Sequence, residues 1–399
     1  MTPLDLKPHY SRFLKGHVNK LHFAAHSHHF WPDVTRDAHM EYWDDCAKSS
    51  DEKWNKIFSE VLPKTQEHIA RILNLKHKNQ IAFAPNTHEL TARLLSLFVG
   101  RPQLSVLTTS SEFHSWRRQI LRLKELPQVQ LEVASTENFL TNRRELIDHL
   151  KNSLKKSPDI FFVSQVFFDS GLALTDDELL ELCEAKSAST IMVVDGYHGF
   201  AAIPTDLSKL EGRIFYLGGG YKYAQAGEGV GFMVVPHGKW RPAYTGWFAE
   251  YAQLAKPAGA EVGYAEDGMA FMGATQDASG FYRFNAAWDL FEKLGLTVSK
   301  IHQYIQGLQS TFLTAFPESF AYEKGLNPLF KDLHWHGHFL TFEALSEESG
   351  QNIQNELKSL GILIDRRGKR LRFGFGLYQD KTDVLGLCER LKTLAVKTK

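Results

Sequence analysis

One lysine stands inside the densest glycine run of the chain, the stretch GGGYKYAQAGEG at residues 218–229. Three interpretations fit a lysine there: a phosphate-cradling loop, a flexible turn with a solvated lysine, or a rigidly held amine that reacts. A P-loop requires a serine or threonine directly after its lysine, whereas Tyr223 follows Lys222. Most lysines are exposed, so a surface turn is the simplest interpretation of this stretch alone. The surrounding residues must therefore decide between a solvated and a reactive amine.

An aspartate ends the apolar run TIMVV, and Lys222 follows after one further apolar run. Asp195 taken alone is as well explained as a helix N-cap or a turn residue. Ligands of open α/β sheets, however, gather at the carboxyl ends of strands, where both side chains are expected. An aspartate and a lysine on neighbouring strands suit pyridoxal phosphate: the amine forms a Schiff base, and the carboxylate keeps the pyridinium nitrogen protonated. The pair therefore predicts pyridoxal 5′-phosphate as cofactor.

The bulk composition indicates a partner that is a small molecule. The chain has 399 residues, enough for two domains, and its 46 basic residues equal its 46 acidic residues. This balance gives no attraction to nucleic acid or to an anionic membrane. No apolar run reaches the ~18 residues of a spanning helix, and the N-terminus lacks a signal-peptide pattern, so we expect a cytoplasmic protein. Three separated cysteines predict neither a disulfide framework nor a metal knuckle.

Short apolar runs alternate with helical periodicity between residues 66 and 235, which is typical of a parallel sheet with crossover helices. Near-continuous apolar runs such as IMVVD suit strands that are covered on both faces. Helices are predicted between these strands, for example over HELTARLLSLF and NRRELIDHLKNSL. The predicted strands are QIAFAP, LSVLTT, QLEVA, DIFFVSQVFF, TIMVVD, RIFYLGG and GVGFMVV.

The pattern of apolar residues along the sequence changes near residue 280. A long amphipathic helical region, the strands HFLTFEA and RLRFGF, and a final helix follow, which is typical of an α+β module. We therefore predict an N-terminal arm over residues 1–20, a large cofactor-binding domain over residues 21–275 and a small C-terminal α+β domain over residues 276–399.

Four motifs, taken together in order and spacing, resemble a known family. They are VVDGYH at 193–198, GYKYAQAGEG at 220–229, TGWF at 245–248 and LRFGFGLYQD at 371–380. Over about residues 20–385 the chain resembles the class V aminotransferase family of fold-type I pyridoxal-phosphate enzymes, and within it kynureninase. The resemblance implies an α/β fold: a large domain with a mainly parallel seven-stranded sheet, and a smaller α+β domain.

The resemblance also implies roles around the cofactor ring. Lys222 is implied as the Schiff-base lysine and later the proton-transfer base, and Asp195 as the partner of the pyridinium nitrogen. His198 is implied as a hydrogen-bond partner of the phenolic oxygen, Tyr221 as a phosphate ligand, and Phe113 as the aromatic ring that stacks on the pyridine. Ordinary core packing is an equally good explanation of Phe113 considered by itself.

Further implied ligands lie farther along the chain. Thr87 and His88 match the family's positions at a helix N-terminus, where backbone N–H groups can bind the cofactor phosphate. Arg372 matches the arginine that holds the substrate α-carboxylate, a role that suits its planar fork of donors. Trp247 and Thr275 resemble residues that reach the phosphate of a neighbouring subunit, which implies a homodimer with cofactor sites at its interface.

Two histidine clusters depart from the kynureninase pattern. The segment AAHSHHFWP replaces a small turn, and we expect its His26 and His28 to recognise the substrate. In HWHGH, period-2 alternation would place His334, His336 and His338 on one face of a strand. Imidazoles bind transition metals, but no accompanying carboxylate pattern is evident, so no metal site is predicted. The segment GATQDASG also replaces residues with which kynureninase recognises its substrate.

The resemblance leaves several reactions open. Desulfurases need a cysteine on a loop before the carboxylate-binding arginine, and no cysteine lies between Cys183 and Arg372. Kynureninase-like hydrolytic cleavage of a Cβ–Cγ bond in an α-amino acid is our first expectation, and transamination of another amino acid is the alternative. A catalytically idle relative is a third interpretation. It is disfavoured because such a protein would be free to lose Asp195, His198, Lys222 or Arg372.

Overall fold

The strands form three sheets in the computed structural model, which describes residues 5–137, 140, 142–253, 262–329 and 331–397. Residues 1–4 of the predicted arm lie outside this range. The strands are β1 (Leu21–His22), β2 (Ile81–Ala84), β3 (Leu104–Thr109), β4 (Val129–Ala134), β5 (Ile160–Ser164), β6 (Ile191–Asp195), β7 (Phe215–Gly219), β8 (Gly231–Val234), β9 (Asn327–Pro328), β10 (Phe339–Glu343), β11 (Ile362–Leu363), β12 (Asp365–Arg367) and β13 (Arg370–Gly374).

A seven-stranded sheet in the order β2-β8-β7-β6-β5-β3-β4 forms the centre of the large domain. Five neighbouring strands run parallel to one another, namely β4, β3, β5, β6 and β7. Strand β8 is antiparallel to both β7 and β2. Strand β5 is buried along its whole length, as expected for an apolar strand that is covered on both faces. The predicted α/β fold with a mainly parallel seven-stranded sheet is confirmed.

The α-helices include the crossover helices of the sheet and the helices of the C-terminal part. Two crossover helices begin with capping side chains: Asn86 accepts a hydrogen bond from the Glu89 N–H, and Thr175 forms a capping box with Glu178. The helices are α1 (Ser11–Gly16), α2 (Val34–Ser49), α3 (Lys53–Lys56), α4 (Leu62–Leu73), α5 (Thr87–Leu95), α6 (His114–Lys124), α7 (Arg143–Leu154), α8 (Asp176–Ala185), α9 (Ser279–Lys293), α10 (Val298–Ala315), α11 (Glu318–Lys324), α12 (Glu347–Ser359) and α13 (Lys381–Lys397).

A four-stranded sheet in the order β12-β13-β10-β9 organises the C-terminal part, and α10 packs against α13 beside it. The N-terminal segment joins this part, because β1 pairs in parallel with β11. Helix α9, in contrast, packs against α2 and α4. The domain boundary between residues 275 and 276 therefore stays a proposal, since α9, which follows this boundary, packs against helices of the large domain.

The predicted strand face of histidines in HWHGH is wrong. Leu333–Trp335 forms a 3₁₀ helix, in which Asp332 accepts a hydrogen bond from the His334 N–H, and strand β10 begins only at Phe339. His334 is exposed while His338 is buried, so the two side chains do not share a face. The aspartate cap favours a helical turn over the extended backbone that simple alternation requires.

Among the described helices, none combines the length and the apolar character needed to cross a bilayer.

A glycine fixes how closely the sheet approaches helix α5. A Cβ atom on Gly231, at the start of β8, would lie 2.5 Å from the backbone carbonyl carbon of Asn86 and 2.8 Å from the Thr87 nitrogen. Because these are backbone atoms that cannot swing aside, any larger residue must push the N-terminus of α5 away from the sheet.

We expect Gly231→Ala to lower the stability by about 1–3 kcal/mol through this clash and to weaken binding of pyridoxal phosphate. Thermal melting and cofactor titration measure the two effects. Gly386→Ala in helix α13 is the matched control, because its Cβ meets nothing within 4 Å. The control should be neutral or stabilising by about 0.5–1 kcal/mol. Equal melting temperatures for the two variants would contradict the packing argument.

Candidate functional site

A cavity of about 390 Å³ opens at the carboxyl ends of the central strands. Seven of the predicted cofactor residues line it, and they come from four separate segments of the chain. They are Thr87, His88, Phe113, Asp195, His198, Tyr221 and Lys222. The structure thus brings the core of the predicted site into one place, where a strand-end ligand site is expected.

Lys222 lines this cavity in a partly buried position. Its Nζ contacts His198 Nε2, and it lies 5.5 Å from the centroid of the Phe113 ring and 5.4 Å from that of Tyr197. Burial, and then the positive charge of Arg372, lower the pKa of Lys222 to about 7. A substantial fraction of the amine is therefore neutral near physiological pH, as a nucleophile requires.

The glycine-rich loop holds Lys222 through its backbone. The Gly220 N–H donates to the Val230 carbonyl at 2.8 Å, and the Ala226 N–H donates to the Gly220 carbonyl at 2.8 Å. Gly227 takes a positive φ of 73°, a conformation that suits glycine. The loop is thus a closed turn on the end of the sheet rather than a flexible surface segment, and its glycines allow the close backbone contacts.

Asp195 ends strand β6 beside the lysine. Burial raises its pKa, while a hydrogen bond from the Tyr197 N–H to Oδ1, at 2.9 Å, and the charge of Lys222 oppose that rise. A buried carboxylate of this kind gains strongly from a cationic partner. The protonated ring nitrogen of pyridoxal phosphate would be such a partner.

A helix N-terminus and the ring of Tyr221 both line the cavity. Asn86 and Thr87 present the start of α5, where free backbone N–H groups favour a phosphate. The Tyr221 hydroxyl lies 3.0 Å from His28 Nδ1, so the half-buried His28 positions Tyr221 and does not itself line the cavity.

These residues fit pyridoxal phosphate. The buried His198 Nδ1 has no hydrogen-bond partner among the described residues, and Phe113 keeps 39% of its surface exposed although it is a large apolar ring. A flat heteroaromatic ligand with polar edges would cover the ring of Phe113 and give His198 a partner. When bound, the cofactor supplies an aldehyde for Lys222 and an electron sink that stabilises a carbanion at the substrate Cα.

Glu112 is a component of the site that the sequence analysis missed. It is fully buried, and it accepts hydrogen bonds from the hydroxyls of Thr109 at 2.6 Å and Ser164 at 2.5 Å. Burial raises its pKa to about 8, and the nearby charge of Asp195 adds to the rise. Ser164 pairs in register with Asp195, so Glu112 supports the strand end that carries the aspartate. The only signal in the sequence was an acidic residue directly before Phe113.

Arg372 lies behind the cavity and not on its wall. It is 2% exposed, donates to the carbonyl of Phe168 and forms an ion pair with Asp365. His26 is fully buried, with Nε2 3.6 Å from the same Asp365 carboxylate. Burial would raise the pKa of Asp365, but His26 and Arg372 reverse this and hold it well below its usual range. Asp365 therefore pairs with both predicted substrate ligands.

The two residues predicted to reach a partner's cofactor are absent from this cavity within the described chain. Trp247 begins a 3₁₀ segment, Trp247–Gln253, and keeps 44% of its surface exposed, and Thr275 is also exposed.

The fold and the cavity together define a fold-type I pyridoxal-phosphate enzyme. A sequence profile described as aminotransferase class-V matches residues 30–385, so the chain belongs to the class V aminotransferase family and depends on pyridoxal phosphate. A curated relative, isopenicillin N epimerase of Streptomyces clavuligerus, is 29% identical over 147 residues, which cover 36% of this chain and 33% of the relative. That match spans about a third of the relative's length.

Solved structures of similar fold include lyases and desulfurases that act on sulfur amino acids. The cystine C–S lyase C-DES has a TM-score of 0.79 at 18% identity, and the match covers 95% of this chain and 98% of that one. The cysteine desulfurase of Thermococcus onnurineus has a TM-score of 0.79 at 16% identity over 99% and 98% of the chains. The Escherichia coli desulfurase CsdA has a TM-score of 0.78 at 14% identity over 100% and 99%. At these identities the similarity shows the fold.

The lowered pKa of Lys222 predicts how fast the apo-protein takes up pyridoxal phosphate. Below about pH 7 the amine carries a proton and cannot attack the aldehyde, so the rate should rise through pH 7 and level off above it. Stopped-flow absorbance follows the attachment, with free N-acetyl-lysine as a control for the aldehyde's own ionisation. A rate that continues to rise toward pH 10, as for the free amine, would show that Lys222 is not desolvated.

The buried, protonated state of Glu112 predicts a difference between two substitutions. Glu112→Gln keeps a neutral group of the same shape, whose carbonyl oxygen can accept from Thr109 while its amide N–H donates to the rotatable Ser164 hydroxyl, so cofactor content and melting temperature should change little. Glu112→Ala leaves the Ser164 and Thr109 donors unpaired and opens a void, which should cost about 2–4 kcal/mol and lower the melting temperature. If Glu112→Gln is as damaging as Glu112→Ala, a negative charge is required there instead.

Proposed function

We propose that this enzyme cleaves the Cβ–Cγ bond of an α-amino acid by hydrolysis, in the manner of kynureninase. The observation that carries the proposal is the contact of Lys222 Nζ with His198 Nε2 on the floor of an aromatic-walled cavity. Phe113, Phe168 and Tyr197 form much of that wall, which suits an aromatic acyl side chain. The four sequence motifs that resemble kynureninase support the same reaction.

Lys222 and His198 act as the proton-handling pair in this proposal. The lysine amine would take and return protons at the substrate carbons. Burial, and then the charge of Lys222, hold the pKa of His198 well below its usual value, so its ring is neutral. A neutral imidazole can accept a hydrogen bond from the amine or from water at Nε2. Lys222 is thereby oriented, and a water molecule can be held for hydrolysis.

Arg372 is proposed as the ligand of the substrate α-carboxylate, and this role requires a local exchange. Asp365 now pairs with its guanidinium, and the buried Arg372 Nε has no hydrogen-bond partner among the described residues. A substrate carboxylate can satisfy Nε and share or replace the contact with Asp365. His26 would respond to the same exchange, because its ring lies against Asp365. Substrate binding and the position of His26 are therefore coupled.

The cysteines give no support to desulfurase chemistry, in which a thiol nucleophile receives sulfur. Cys183 and Cys388 are buried, Cys46 is partly exposed, and none of them lines the 390 Å³ cavity. Burial also raises the pKa of both Cys183 and Cys388, which disfavours the reactive thiolate. The carbon–carbon cleavage proposed above needs no thiol.

A homodimer is also part of the proposal. Trp247 and Thr275 are exposed and lie away from the cavity of their own chain. An exposed tryptophan is a common component of protein interfaces, and here it would approach the phosphate side of the partner's cavity. Size-exclusion chromatography with light scattering measures the assembly directly.

Kynurenine tests the proposed reaction. The purified holoenzyme should convert it to anthranilate and alanine, measured by chromatography. Borohydride reduction followed by peptide mapping should place the cofactor on Lys222. Asp195→Asn should lower turnover by about 10²–10³ while the cofactor is largely retained, because a charge that stabilises the reacting state is lost.

Inertness toward kynurenine, together with transfer of an amino group to a keto acid, would replace the hydrolase proposal with transamination. A cofactor adduct on another lysine, or no adduct, would instead overturn the assignment of Lys222.

A further inference from the structure

A second, strongly basic cavity adjoins the cofactor cavity. This outer cleft of about 880 Å³ shares His88 and Ser115 with the cofactor cavity and continues along one face of helix α6. Its charged and titratable lining residues are His88, His114, Arg117, Arg118, Arg122 and Glu125. The excess of cations is local, because the chain as a whole has 46 basic and 46 acidic residues.

The cations of the outer cleft differ in how they are paired. Arg122 has a partner, since its Nη1 lies 2.7 Å from a Glu125 carboxylate oxygen. Arg117 and Arg118 form no ion pair with any of the described residues. Both are exposed, so their guanidinium groups are free to bind an anion that enters from the cofactor cavity.

Arg117 is the better placed of the two unpaired arginines. It lies three residues after His114, the first residue of α6, so these two side chains fall on one face of the helix, and Phe113 is the N-cap residue directly before it. The Phe113 and His114 rings both contact Phe168, which lines the cofactor cavity, with centroids 5.7 and 5.2 Å away. Arg117 is therefore one helical turn from the wall of the cofactor cavity.

The positive field extends from the outer cleft to the buried arginine. Burial lowers the pKa of His114, and the charges of Arg117, Arg367 and Arg372 lower it further. The charges of these three arginines therefore all act at His114, which lines the outer cleft. Asp365 offsets part of the charge, since it pairs with Arg367 at 2.8 Å and with Arg372. Arg367 and Arg372 share Asp365, whereas Arg117 has no carboxylate partner among the described residues and can attract an anion.

We propose that the outer cleft, through Arg117, binds a second anionic group of the substrate. The substrate class is then an α-amino acid whose acyl side chain carries a carboxylate or a sulfonate, with its α-carboxylate held deeper by Arg372. This inference rests on the proposed function, because it assumes an α-amino acid bound in the cofactor cavity. Hydrolytic cleavage of such a substrate releases alanine and an acid that bears the second anion.

Equilibrium binding to the holoenzyme tests the outer cleft without turnover. Calorimetry at fixed ionic strength compares glutarate and adipate with valerate and hexanoate, which have the same chain lengths but a single carboxylate. The 4-sulfobutyrate ion distinguishes sulfonate from carboxylate. We expect at least one dianion to bind about tenfold more tightly than its monoanion, as one added charge-assisted contact provides.

Arg117→Gln should remove most of that preference while leaving monocarboxylate binding unchanged. Arg122→Gln is the matched control, because it removes one charge from the same cleft but from a residue already paired with Glu125. The proposal is overturned if dianions and monoanions bind alike, if the preference survives Arg117→Gln, or if Arg122→Gln abolishes it equally. Turnover of kynurenine to anthranilate and alanine reports separately on the proposed function, which fails alone if the dianion preference is found but no cleavage product is formed.

Discussion

The removal of Lys222 from water is the constraint on which the site depends. An ammonium group that loses much of its water is costly, so the protein holds this partly buried lysine partly neutral, beside two aromatic rings and an imidazole. Arg372 adds a like charge nearby, which strengthens the effect, while Asp195 and Asp365 limit it. An amine in that state is a nucleophile and a proton acceptor near neutral pH. The glycine loop, the strand ends and the aromatic wall all serve to keep it there.

A second set of interactions joins the C-terminal part of the chain to the site. Asp365 and Arg372 come from paired strands of the C-terminal sheet, and His26 comes from the N-terminal segment that pairs with β11. Arg372 and Asp365 form an ion pair behind the cavity, where the Phe168 carbonyl accepts a hydrogen bond from Arg372. Arg372, the proposed ligand of the substrate carboxylate, therefore lies on a different sheet from Asp195.

The fold provides a binding site for pyridoxal phosphate, and we expect the charges around that site to determine which substrate binds. A lysine, an aspartate and a helix N-terminus lie together at the ends of the central strands, where ligands of open α/β sheets bind. The similar solved structures act on sulfur amino acids, whereas this chain has no cysteine at the cavity and a basic cleft beside it. Fold similarity alone consequently says little about the substrate.

The sequence by itself determined the sheet, the cofactor and the residues at strand ends. Apolar runs of strand length report burial on both faces, and the end of each parallel strand falls on the same edge, so Asp195 and Lys222 could be placed together without coordinates. Only the tertiary structure decided the roles of Glu112, Asp365 and the histidines. Their pKa values and partners depend on residues far away in the chain, such as Arg372 for His26. The periodicity of a sequence carries no information about such long-range pairing. In HWHGH the aspartate cap at Asp332 favoured a helical turn over the strand that the alternation of histidines predicted.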